Sequence, residues 1–169
     1  MMSLKEQMQS YGAYHKDPRN KLTHFFGVPL VTFSLFLALS WFPFVLYPKV
    51  PISVATIFYV GVLGYYLKLD WAVALMQLPV TLTLLMIADW AAHLEPFGWS
   101  FSIFLVAFVL GWIIQLVGHA IEGRRPALVD NLFQVFNAPL FLAVEVLALL
   151  GLRKDLYESE NLTFSRSPT

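Results

Sequence analysis

The run Phe97-Gly98-Trp99-Ser100-Phe101-Ser102-Ile103-Phe104-Leu105-Val106-Ala107-Phe108-Val109-Leu110-Gly111-Trp112-Ile113-Ile114-Gln115-Leu116-Val117 contains no charged residue. About 20 consecutive apolar residues cross a hydrocarbon core as helix, so this run predicts a transmembrane span. Uncharged apolar stretches also occupy residues 25–47, 50–67 and 71–88. A fifth, at 135–152, carries Pro139 in its first turns and Glu145 near its middle. The whole chain of 169 residues is 58% hydrophobic and 13% charged, against about 45–50% and about 25% in soluble domains. The expected fold is therefore all-α, an integral membrane helical bundle of four to five transmembrane helices.

The basic residues set the expected orientation. Lys5, Lys16, Arg19 and Lys21 precede the first span and Arg124 and Arg125 follow the fourth, whereas the link at 89–96 has neither Lys nor Arg. By the positive-inside rule the N-terminus and the loop at 119–131 face the cytoplasm. Four crossings then bring His15, His24 and His119 to one side and leave His93 on the other. A full fifth crossing would carry Arg153 and Lys154 outward, so 135–152 is expected to pack against the bundle or re-enter. Trp41, Tyr47, Trp90 and Trp99 suit an interfacial aromatic belt. Residues 1–24 lack the apolar core of a signal peptide, so the first span is expected to stay in the mature protein.

A formal net charge of zero implies no nucleic-acid partner. The absence of cysteine removes disulfides, thiolate catalysis and iron–sulfur clusters. No repeat is visible, and residues 1–169 read as one membrane-embedded helical domain with a polar tail at 157–169 and short loops marked by Pro or Gly, as at Pro48 and Pro51. Within residues 1–16, Leu4, Met8, Tyr11 and His15 recur at helical spacing and predict an amphipathic interfacial helix.

Two polar clusters flank the apolar segments, at 14–24 and 118–126, and hold three of the four histidines. Asp17-Pro18 reads as a helix N-cap and first helical residue. Asn20 and His24 then share one helix face, towards which His15 can fold back. At the other cluster His119 and Glu122 share a face, Gly123 suits a helix C-terminus and Pro126 blocks continuation. Three imidazoles and a carboxylate at one membrane face suit a divalent transition metal such as iron, zinc, copper or nickel. A lone interfacial histidine also serves as a headgroup anchor, and Arg124 and Arg125 as topogenic charges near anionic lipid. Asp89 and Glu145, acids in or near the membrane, are functional candidates by default. With four histidines the chain can build at most a mononuclear site.

The pattern Tyr14-His15-x-x-Pro18-x-Asn20-x-x-x-His24-x-x-Gly27-x-Pro29, with Gln115-x-x-Gly118-His119-x-x-Glu122-Gly123-Arg124-Arg125-Pro126-Ala127-Leu128-x-Asp130-Asn131-Leu132-x-Gln134, resembles the small membrane family of 2-hydroxy fatty acid dioxygenases. That family is known from the route from phytosphingosine to odd-numbered fatty acids. The resemblance implies an Fe(II)-dependent enzyme that shortens a long-chain 2-hydroxy fatty acid by one carbon with dioxygen and releases C1 as carbon dioxide. It implies His15, His24 and His119 as metal ligands. Glu122 becomes a fourth ligand or acid–base partner, Asn20 or Asp130 a group orienting an imidazole, and Arg124 or Arg125 the partner of the substrate carboxylate. The membrane, in the bacterial inner membrane or the endoplasmic reticulum, would present the lipid substrate to an active site at the cytoplasmic face. Two other readings of the residues are a lipid-binding scaffold or small transporter, and a zinc-dependent membrane hydrolase.

Overall fold

The protein is described from a computed structural model covering residues 3–46, 50–95, 97–126 and 134–153, with Leu156. Along these residues run helices α1 (Leu4–Gly12) and α2 (Pro18–Ser40), strands β1 (Pro43–Leu46) and β2 (Val50–Ser53), and helices α3 (Val54–Leu69), α4 (Trp71–Ala92), α5 (Phe97–Glu122) and α6 (Gln134–Leu149).

Local chemistry explains the boundaries. Ser3 and Glu6 form a reciprocal capping box at the start of α1. Asp17 caps α2 by accepting from the Arg19 amide at 2.8 Å, with Pro18 at the first helical position. Asp70 closes the α3–α4 turn by accepting from the amides of Ala72 and Val73. At the end of α5 the Gly123 amide donates to the Ala120 carbonyl and the Arg124 amide to the His119 carbonyl. This is a Schellman turn, and its left-handed residue, at φ +70°, is Gly123.

Helices α2, α4 and α5, of 23, 22 and 26 residues, are long and apolar enough to cross a membrane. Among the described residues that is three helices rather than the expected four to five, because α3 and α6 have 16 residues each. At 1.5 Å per residue such a helix spans about 24 Å, short of a core about 30 Å thick. The expected first span is also displaced. Its helix starts at Pro18 and stops at Ser40, and residues 43–46 pair antiparallel with 50–53 in a hairpin, Pro43 opposite Ser53 and Leu46 opposite Val50. Pro43 and Pro51 interrupt helical hydrogen bonding there, which leaves β-branched and aromatic residues to pair as strands.

Helices α2 to α5 nevertheless alternate in direction. One apolar cluster joins Phe36 and Leu37 of α2, Ala55 and Tyr59 of α3 and Leu85, Ala88 and Ala91 of α4 at one end. The other cluster joins Val28, Tyr66, Val73 and Ala74 to α1 and α6. The buried stripe of α1, Leu4, Gln7, Met8 and Tyr11, thus faces protein. Helix α6 starts beside Tyr66, whose hydroxyl donates to the Phe136 carbonyl at 2.6 Å. It ends where Arg153 pairs with Asp70 at the α3–α4 turn. Lys21 pairs with Glu145 at 2.7 Å. The fifth segment therefore packs into the bundle and returns Arg153 to the end that holds Lys21, and its acid, Glu145, is an ion-pair partner.

The most extensive helix contact is that between α2 and α5, and small residues make it possible. A β-carbon on Gly27 would lie 2.5 Å from Gln115 Cγ and 3.0 Å from the Gly111 carbonyl oxygen. One on Gly118 would lie 2.0 Å from Thr23 Oγ1 and 2.4 Å from Asn20 Oδ1. Gly118→Ala must therefore push α2 away or dislodge Asn20, which is fully buried, and overpacking of this kind costs about 1–3 kcal/mol. A thermal-shift comparison in detergent is expected to show a clear loss for Gly118→Ala and none for Gly64→Ala, whose new methyl meets nothing within 4 Å.

Candidate metal centre

Three segments converge on one point. His15 lies in the turn between α1 and α2, His24 two turns into α2 and His119 one turn before the end of α5. Their exposures are 1%, 1% and 5%, and one ligand atom from each lies within 4.8 Å of the others. The three rings meet edge to face, with centroids 4.4 Å apart for His15 and His24 and 5.0 Å for each with His119.

The hydrogen bonds fix which nitrogens are free. His15 Nδ1 lies 2.8 Å from the Tyr11 carbonyl and His24 Nδ1 3.0 Å from the Asn20 carbonyl. A carbonyl only accepts, so each Nδ1 carries the proton and each Nε2 presents a lone pair. Those two Nε2 atoms face each other at 3.1 Å. Two facing lone pairs repel unless a cation or proton sits between them. His119 adds a buried Nδ1 without a hydrogen-bond partner among the described residues. Burial, reinforced by the neighbouring His24, pushes the His15 imidazole down to about 3, so it is neutral near pH 7, the form that binds metal. The donor set fits a divalent metal such as Fe(II). The carbonyl bonds are the outer support that ligating histidines usually have.

Around the rings the chain closes a shell. Tyr11 stacks on His15 at 4.2 Å between centroids and 10° between planes, and Phe141 of α6 packs on both at 5.0 and 5.6 Å. Glu122 accepts from the Lys16 amide at 2.5 Å, from the Asp17 amide at 3.4 Å and from the Asn20 side-chain amide. Its carboxylate thus holds the turn that carries His15 and the residue whose carbonyl receives His24. Glu122 lies outside the group of side chains whose ligand atoms converge. Arg124 is exposed and donates to the Ala13 carbonyl at 2.5 Å. Arg125 is exposed on the same turn, and Asp130 lies outside the described residues.

His93 caps the opposite end of α4, exposed, with Nδ1 bonded to the Asp89 carbonyl at 2.7 Å. Asp89 lies at that end too, far from the histidine cluster in the fold. The aromatic cover went unread in the sequence. Tyr11 offered a signal, since it falls one helical turn before His15 on the same stripe, whereas nothing local marked Phe141.

A buried, three-histidine centre inside apolar helices defines a membrane metalloprotein. The sequence profile of the Mpo1-like family, described as 2-hydroxy-palmitic acid dioxygenase Mpo1-like, matches residues 1–149. A protein of Saccharomyces cerevisiae, 2-hydroxy-palmitic acid dioxygenase MPO1, is 33% identical over 156 residues, covering 89% of this chain and 83% of the yeast protein. The chain belongs to the Mpo1-like family. Membership and the three-imidazole cluster agree on one class of enzyme, an Fe(II)-dependent dioxygenase. No solved structure matches the chain.

Replacing His15, His24 or His119 by Ala is expected to remove most bound iron, measured by elemental analysis after anaerobic loading, while His93→Ala retains it. Glu122→Ala, which keeps all three imidazoles but frees the turn and Asn20, is expected to weaken iron affinity by about 10–100-fold. Full iron in any of the three histidine variants would contradict the site.

Proposed function

We propose that this chain shortens a long-chain 2-hydroxy fatty acid by one carbon, with dioxygen as co-substrate and C1 leaving as carbon dioxide. The observation that carries the reading is the convergence of His15, His24 and His119 in a chain whose yeast relative is named as a 2-hydroxy-palmitic acid dioxygenase. The reaction R–CHOH–COOH + O2 → R–COOH + CO2 + H2O balances in atoms and electrons. It needs no external reductant.

Fe(II) held by the three imidazoles would supply one point at which the hydroxyl and carboxylate of the substrate meet dioxygen. The chain's own residues make that point selective. Tyr11 and Phe141 cover His15 and keep bulk water from that side. Glu122 and Asn20 hold the His15 turn against α2, so the ligands are placed before substrate arrives. The substrate carboxylate is drawn in by Arg124 or Arg125, which follow the His119 helix directly; the neighbouring Pro126 lines a small cavity against His24 and His119. We place this end at the cytoplasmic face, since Lys5, Lys16, Arg19, Lys21, Arg124 and Arg125 gather there.

Protein loaded with Fe(II) is expected to convert a long-chain 2-hydroxy acid to the acid one carbon shorter and to leave the unhydroxylated acid untouched. With ¹⁸O2 the new carboxylate should carry label, read by mass spectrometry. Product formed without oxygen, or formed equally with Zn(II), would overturn the assignment.

The arginine reading has its own test. Replacing the carboxylate partner, Arg124 or Arg125, with Gln should raise KM by roughly ten- to a hundredfold, the loss of an interaction of about 1.5–3 kcal/mol, with iron content unchanged. Wild-type KM in both variants would assign the two arginines to topology alone.

A further inference from the structure

A groove of about 270 Å³ opens between α2, α4 and α6. Phe25 and Thr32 of α2, Val80 and Leu84 of α4, and Leu142 and Val146 of α6 form its wall. Thr32, Gln77 and Thr81 are the polar residues in that wall. Val80 is 56% exposed on a helix long and apolar enough to cross a membrane, so the groove opens sideways onto lipid.

The groove shares two wall residues with the cavity beside the histidines. Val28 and Thr32 line it and also line a cavity of about 40 Å³ bounded by His24, His119 and Trp112. Its upper end begins at Phe25, the residue after His24, and it descends α2 to Thr32, a depth of about 10 Å at 1.5 Å per residue. Apolar surface that starts at the ligands and runs into the bilayer suits a molecule with a chelating head and a hydrocarbon tail.

We propose that the acyl tail of the substrate lies in this groove and reaches it from the bilayer, passing Thr32 so that the head arrives beside His24 and His119. The inference rests on the 2-hydroxy acid reading of the site and adds the place that selects chain length. The tail never leaves an apolar medium during binding, and the lateral mouth lets a longer chain trail out into lipid. Val80, on the rim of the mouth, and Thr32, at the passage to the histidines, are the specificity-determining positions.

Two measurements on full-length protein in lipid test this. In the first, kcat/KM is followed across a chain-length series for wild type, Val80→Trp and Thr32→Leu. Val80→Trp fills the mouth from its exposed side, and excluding two methylenes corresponds to roughly a tenfold loss. For Val80→Trp the expected result is at least that loss on long acids and a smaller loss on an eight-carbon 2-hydroxy acid, and for Thr32→Leu, at the passage every acid must use, a loss at all chain lengths; iron content is unchanged in both. An unaltered chain-length profile in Val80→Trp together with wild-type kcat/KM in Thr32→Leu would overturn the proposal.

The second measurement needs neither iron nor turnover. A long-chain 2-hydroxy acid bearing a diazirine in its chain is photolysed with iron-free protein. Label is expected in peptides covering 76–84 and 139–146, competed by the unlabelled acid and reduced by Val80→Trp. Label confined to the outer face of α5, at Val106 and Val109, would refute the groove even if the dioxygenase reading stands. Label in the groove without turnover by any loaded protein would retain the groove and remove that reading.

Discussion

The close approach of α2 and α5 is the constraint on which the centre depends. His24 and His119 sit on different helices, far apart in sequence, and their rings meet only because the two backbones come closer than ordinary side chains allow. Gly118 gives the space that Asn20 and Thr23 fill, and Gly27 and Gly111 do the same one and two turns deeper. In lipid, where helices gain nothing by hiding apolar surface from each other, this close packing is itself a source of association. The packing that holds the bundle and the geometry of the histidine cluster are thus one feature.

The third imidazole of the cluster comes from outside that helix pair and has to be held by other means. His15 lies between two helices in irregular backbone, which is free to move unless something pins it. Three things do so: the Tyr11 carbonyl fixes its Nδ1, the Tyr11 and Phe141 rings enclose it, and Glu122 takes the amides of the next two residues. Phe141 is brought there by α6, and α6 is held by Lys21–Glu145 and Arg153–Asp70. Breaking one partner of a buried pair leaves an uncompensated charge, a costly state in an apolar bundle. The short returning helix therefore completes the site by covering it, and its acid contributes through that ion pair.

The sequence made the site more legible than the fold. Charge asymmetry and the count of apolar runs were enough to bring His15, His24 and His119 to one end and to separate His93, and the Asp17-Pro18 and Gly123 signals located two helix ends. Glu122 was legible as a neighbour of the site, but its partners were not, since the backbone amides of Lys16 and Asp17 leave no mark in a side-chain pattern. The hairpin at 43–46 and 50–53 was missed because an unbroken apolar run has no period by which strand and helix can be told apart. The lengths of α3 and α6 were misjudged for a related reason: apolar residues continue beyond the helices that contain part of them. Gly118 belonged to the recognised pattern, yet its role appears only when Asn20 and Thr23 are seen against it.

The central claim is that three imidazoles from three segments hold one iron. X-ray absorption at the iron edge, on wild-type protein loaded anaerobically with one Fe(II) per chain, tests it most directly, because multiple scattering from imidazole rings counts histidine ligands. The account predicts three imidazoles on one iron, with the remaining scatterers light oxygen atoms that change when a 2-hydroxy acid is added. An iron shell with one imidazole or none, unaffected by the acid, would contradict it.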